Sequence, residues 1–211
     1  MHIFTSKFVQ KPAHVTELPG SVSTPRGFVA SGIAAGIKKS GKSDLGILIC
    51  KQPCASASLY TPSAAAAAPI QVSRDEAEAG AIQGVVVCSG SANACTGAPG
   101  LADARAMVTL AALAAGINSK NMAVASTGVI GVPLPMEKIE PGIESAAESL
   151  SESGGGDFAE SIRTTDRIDK DGAVEVALSG GTVRVGACAK GAGMIAPNMA
   201  TMLAFITTDA G

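Results

Sequence analysis

The chain has no tryptophan, one tyrosine and two histidines among its 211 residues, and aromatics make up 3% of it. A core without large rings has to be built from Ala, Val, Ile and Leu, packed through small residues and closely approaching backbones. The scarcity of aromatics, with a formal net charge of −2, removes the stacking platforms and the basic stripe of a nucleic-acid binder. No run is apolar for long enough to span a bilayer. The N-terminus, Met1-His2-Ile3-Phe4-Thr5-Ser6-Lys7-Phe8, has neither a secretory apolar segment nor the Arg-rich pattern of a transit peptide. These absences predict a cytoplasmic protein with no nucleic-acid and no membrane partner. Both histidines, His2 and His14, lie in the N-terminal stretch. Cys50-x-x-x-Cys54 has no second pair at ligand spacing, so no metal is expected. The five cysteines (Cys50, Cys54, Cys88, Cys95 and Cys188) are odd in number, and the chain is too long for a small disulfide scaffold. Reduced thiols are expected.

Hydrophobic residues are plentiful, at 46%, enough for one substantial core. Residues 1–25 are polar and Pro-punctuated and read as an arm or an early hairpin. Phe28–Ile37 and Leu45–Cys50 are apolar runs around a Lys- and Gly-rich turn, and Ala64–Ala68 is a short alanine run. Gly84–Ser89 is a buried strand by its β-branched run and glycine boundary. Ala98–Ala115 is a helix, with Pro99 in its first turn and Gly116 as its stop. Met122–Ser126 is the next strand. Pro135–Ser153 is helical but should break near Pro141-Gly142. Gly154-Gly155-Gly156 reads as a loop, and Asp157 as the cap of a short helix to Arg163. Ala173–Leu178 and Thr182–Cys188 flank a Ser179-Gly180-Gly181 turn and form a hairpin. A last strand runs from Met202 to Thr207. Strands that alternate with helices and end in a hairpin predict an α/β fold with a mixed sheet.

Gly36-Ile37-Lys38-Lys39-Ser40-Gly41-Lys42-Ser43 matches the phosphate-binding P-loop pattern. That motif needs a helix to leave the loop, so that its N-terminal amides hold the phosphates. Here the exit, Asp44-Leu45-Gly46-Ile47-Leu48-Ile49-Cys50, reads as a strand, and a Lys-rich hairpin turn explains the letters.

Chemistry concentrates in the run Lys190-Gly191-Ala192-Gly193-Met194-Ile195-Ala196-Pro197-Asn198-Met199-Ala200-Thr201-Met202-Leu203-Ala204-Phe205. It sets an Ala200-Thr201 bond between a glycine-containing loop and a strand-like segment. If that bond is cut, the new α-amine of Thr201, with a reference pKa of roughly 7.7–8.0, can serve as general base for its own hydroxyl. Cleavage would begin with attack of the Thr201 hydroxyl on the Ala200 carbonyl, followed by hydrolysis of the ester. Ser126-Thr127-Gly128-Val129-Ile130-Gly131 follows a predicted strand, where Thr127 and Gly128 can aim a hydroxyl and a backbone N–H at an oxyanion, or simply make a turn. Lys190 supplies a cation that could hold an amino-acid carboxylate or favour a neutral α-amine, or is simply a solvated surface lysine. Arg163-Thr164-Thr165-Asp166 supplies paired hydroxyls, or simply a turn.

Taken together these stretches closely resemble the glutamate N-acetyltransferase (ornithine acetyltransferase) family of arginine biosynthesis. The matching residues are 25–28, 35–41, 92–97, 100–107, 124–131, 164–166 and 190–210, in order along nearly the whole chain. The resemblance implies a layered α/β/β/α-type architecture, shared with a self-cleaving aminopeptidase group. It implies a precursor cut before Thr201, with 1–200 as an α-chain region of one α/β domain and 201–211 as the start of β. The pieces would stay together as α2β2. Thr201 would carry acetyl from N-acetylornithine to glutamate, with acetyl-CoA as a possible second donor. Thr127 and Gly128 would form the oxyanion hole, and Lys190, Thr165 and Thr164 would bind substrate. No metal or nucleotide cofactor is implied. The sequence departs from the family at Cys88, Ser91, Arg163 and Arg167, positions that bear on substrate preference, and family precursors are about twice this length. The same architecture also admits an amidohydrolase or aminopeptidase, in which water takes the acyl group. A truncated product acting only as an interaction protein is the third alternative.

Overall fold

A computed structural model describes residues 10–191 and 202–211. Two four-stranded sheets organise them. The mixed sheet is β2 (Phe28–Ile33), β3 (Leu45–Cys50), β4 (Gly84–Ser91) and β5 (Met122–Val129) in that order. Its first two pairings are antiparallel, and β4–β5 is parallel. The second sheet is antiparallel, in the order β1 (Val15–Leu18), β6 (Lys170–Leu178), β7 (Gly181–Lys190) and β8 (Leu203–Thr208).

Side chains alternate across a strand, and the mixed sheet uses both faces. Leu45, Ile47, Ile49, Val86, Cys88 and Val124 form one core with three helices. These are α1 (Ala68–Asp75), α2 (Gly97–Ala115) and α3 (Met136–Glu148). Ala30, Leu48, Val85, Val87 and Ala125 face the other way. They pack on α4 (Gly155–Ile162) and on Cys188 and Phe205 of the second sheet. The rings of Phe158 and Phe205 meet edge to face, 5.3 Å apart, a contact that joins α4 to β8. Small residues let these layers close. Gly32 and Gly46 are cross-strand partners. A Cβ at Gly32 would stand 2.0 Å from the Asp157 carbonyl oxygen, and one at Gly46 would stand 2.2 Å from Ser161 Oγ. The glycine pair is thus a trough that α4 fills.

Several expectations are corrected. The helix over 135–153 does not break at Pro141, because α3 runs through it from Met136 to Glu148. Pro141 and Glu137 are both exposed, so the lost backbone bond falls on the solvent side, where water can pair with the freed carbonyl. Asp157 is not a cap. Gly155 and Gly156 already belong to α4, Gly154 precedes it, and Asp157 sits in the first turn, where its charge suits the helix dipole. The N-terminal segment makes no hairpin within 10–25. Instead β1 pairs with β6. The expected mixed sheet is present and is joined by a second, antiparallel one, in keeping with the layered α/β architecture; α1 starts on the last residue of the alanine run.

The P-loop look-alike ends in β3, with a turn closed by Gly41 N–H donating to the Lys38 carbonyl. Its amides already hold an anion from the chain itself. Asp44, fully buried, accepts from Ala35 N–H at 2.7 Å and from Lys38 N–H at 2.8 Å. Asp44→Ala is expected to destabilise the protein by roughly 3–6 kcal/mol, from two charge-assisted bonds of about 1.5–3 kcal/mol each. Chemical denaturation measures this. A loss under about 1 kcal/mol would mean that the carboxylate does not organise the loop.

Candidate active site

The parallel pair β4–β5 ends on one edge of the mixed sheet, and ligands of open α/β sheets gather at such carboxyl ends. The two strands leave in paired loops. Ala92 N–H donates to the Val129 carbonyl, and Gly131 N–H donates to the Ala94 carbonyl. Ser91 Oγ reaches the Val132 carbonyl at 2.8 Å. Asn93 is fully buried at φ 47°. Its Nδ2 donates to the Gly100 carbonyl, and its Oδ1 accepts from Thr96 Oγ1. The Asn-Ala-Cys-Thr-Gly block of the sequence is therefore a clasp, anchored by the buried Asn93, that starts α2.

β5 extends further than the sequence indicated. Thr127 and Gly128 lie within it, opposite Ser89 and Gly90 of β4. Thr127 is buried and Gly128 is exposed. Gly128 has φ +140°, and a Cβ there would stand 2.4 Å from the Gly90 carbonyl carbon and 2.5 Å from its oxygen. Neither backbone atom can yield. Gly128→Ala is expected to destabilise the protein by about 1–3 kcal/mol through overpacking and strain. A thermal melt indistinguishable from the parent's would contradict this close approach.

Lys190 closes β7, in the other sheet, yet its Nζ donates to Thr127 Oγ1 at 3.0 Å. It is 5% exposed. This bond ties the two sheets together at the strand ends and leaves the Thr127 hydroxyl proton free to donate elsewhere. Burial draws the Lys190 ammonium below its usual range, while the Asp166 carboxylate pushes it back up and Lys170 opposes that.

Opposite Lys190, Leu203 begins β8, two residues after Thr201 in the chain. Ala200 and Thr201 themselves lie outside the described residues. Thr164 is half-buried and Thr165 exposed, in the loop after α4. Among the described residues neither is brought onto Lys190 by a hydrogen bond, but the next residue, Asp166, holds the Gly191 N–H. Sequence reasoning gave Asp166 and Lys170 no part here. Their i,i+4 spacing with opposite charges was the available signal. The five cysteines are free. Among the described residues no group of acidic, histidine or cysteine side chains is arranged for a metal, and no helix is long and apolar enough to cross a membrane.

Two sheets, helices packed on the mixed one, and a buried lysine bridged to a strand-end threonine define a layered α/β protein with a cation and a hydroxyl at one strand edge. Residues 29–211 match the ArgJ family, and the chain belongs to that family. It is 53% identical over 195 residues to the arginine biosynthesis bifunctional protein ArgJ of Symbiobacterium thermophilum, covering 92% of this chain and 48% of that protein. It is 50% identical over 202 residues to the protein of that name from Bacillus anthracis, covering 95% and 49%. The chain thus spans about half the length of the curated relatives it matches. Among solved structures, the ArgJ of Bacillus halodurans superposes with a TM-score of 0.80 at 43% identity, covering 88% of this chain and 98% of that one. The ornithine acetyltransferase of Mycobacterium tuberculosis, complexed with ornithine, also superposes with a TM-score of 0.80, at 36% identity, covering 88% and 100%.

Proposed function

We propose that this chain is the α-chain region, with the first residues of β, of a self-cleaving acetyltransferase that moves an acetyl group from N-acetylornithine to glutamate. The observation that carries it is the Lys190–Thr127 contact beside the Lys190–Leu203 strand pair. A buried cation and a hydroxyl meet where the chain departs toward Thr201 and returns from it. Coverage adds support. The solved relatives' chains are matched almost whole, while the curated sequences are matched along about half their length. This is what a relative cut near its middle would give.

Cleavage proceeds by attack of Thr201 Oγ1 on the Ala200 carbonyl, which shifts the acyl group from nitrogen to oxygen. Water then hydrolyses the ester, leaving an Ala200 carboxylate and a free Thr201 amine. In turnover that amine takes the hydroxyl proton as Oγ1 attacks the acetyl carbonyl. The developing oxyanion is met by the Thr127 hydroxyl and the Gly128 N–H. The amine of ornithine leaves with the proton, and acetyl stays on Thr201 as an ester. The amine of glutamate then attacks, releasing N-acetylglutamate and restoring the threonine. Lys190 pairs with the substrate carboxylate, and Thr165 and Thr164 contribute hydroxyls from the neighbouring loop. The remainder of the precursor is the β partner in an α2β2 assembly, working in the cytoplasm with no metal or nucleotide cofactor. Acetyl-CoA would reach the same acyl-threonine.

The test is an assay of the full-length precursor with N-acetylornithine, with and without glutamate, and separately with acetyl-CoA and glutamate. N-acetylglutamate formed from N-acetylornithine supports the proposal. Ornithine release independent of glutamate would favour the hydrolase alternative. No reaction with any of them would favour an interaction protein.

A further inference from the structure

Two charged residues that the proposed chemistry leaves unused hold the main chain next to Lys190. Asp166 ends the Thr164-Thr165 loop, and its side chain is 2% exposed. Its two oxygens each accept from Gly191 N–H at 3.2 Å. The same carboxylate pairs with Lys170 Nζ, at the start of β6, and that ammonium also donates to the Gly191 carbonyl. Both backbone polar groups of Gly191 are therefore gripped by one ion pair. Gly191 is the residue after Lys190, at φ +143°, and the last described residue before 192–201. A simple surface i,i+4 pair contributes little to stability. Here one partner is buried, and both point at a single peptide residue.

We propose that Asp166 and Lys170 are paired positioning residues that clamp Gly191 and so fix where Lys190 presents its ammonium beside Thr127. The proposal rests on Lys190 serving as the site's cation. The two halves of the clamp act on that cation with opposite sign. Asp166 favours its charged form, and Lys170 disfavours it. Among the described residues, the other partner facing Lys190, from β5, is the neutral Thr127 hydroxyl.

The opposition gives a test that a purely structural role would not pass. In full-length protein with 13C-labelled lysines, the titration of Lys190 is followed by NMR, with Lys190→Arg assigning the signal. Asp166→Asn, which keeps an acceptor for Gly191, is expected to lower the Lys190 midpoint, and Lys170→Met to raise it. Exchange of the Gly191 amide should quicken about tenfold in Asp166→Ala. Shifts of one sign in both variants, no shift in either, or unchanged exchange would overturn the clamp. If the Asp166 variants do not fold, Lys170→Met decides alone, since its side chain is 40% exposed. No rise in the midpoint then overturns the proposal. The titration needs no turnover. An enzyme that transfers no acetyl group would refute the proposed function without touching the clamp.

Discussion

Thr201→Ala in the complete precursor is expected to give one uncut polypeptide with no acetyl transfer. Alanine has no hydroxyl to attack the preceding carbonyl and none to carry an acyl group, so both steps fail together. Thr201→Ser should restore both, more slowly. Intact mass and N-terminal sequencing read the first step, and the glutamate-dependent assay reads the second. Two masses together with retained transfer in the alanine variant would remove residue 201 from the chemistry. A cut variant without activity would separate the steps and assign cleavage to another group.

Thr127→Val comes next in size. Valine keeps the shape of threonine and its place in β5 but gives up the hydroxyl that accepts from Lys190 at 3.0 Å. One oxyanion donor is typically worth about 2.7–4 kcal/mol, or a 10²–10³-fold fall in kcat. The loss should appear in the rate of acetylation, with KM changed far less, because the donor acts on charge that develops only in the transition state. Thr127→Ser should recover most of the rate. A fall of less than about threefold in the valine variant would place the oxyanion elsewhere.

What the sequence made legible was local. The helix Gly97–Ala115, the strand beginning at Gly84 and the hairpin around Gly180 each carry their own periodicity and punctuation. The rest depends on distant partners. β1 finds β6, a pairing that no local pattern announces. Pro141 is tolerated because its side of α3 faces water, which composition does not reveal. Asp44 reads as the first residue of the strand that leaves the loop and turns out to be the anion inside the loop that imitates a nucleotide site. Thr127, Gly128 and Lys190 were legible as candidates because family motifs mark them. The contact between Lys190 and Thr127 was not, since it joins two sheets. Asp166 and Lys170 were missed for the same reason, as their target is a backbone residue on another strand.

Six residue pairs lace β7 to β8, from Val185↔Thr208 to Lys190↔Leu203. Should the connection between these strands be severed, the sheet would keep its full complement of rungs, and two polypeptides would become co-owners of one folding unit. Pulling them apart would strip a whole strand from its neighbour and leave its amides bare. The severed protein should therefore melt in a single transition, as one body with an extra pair of chain ends.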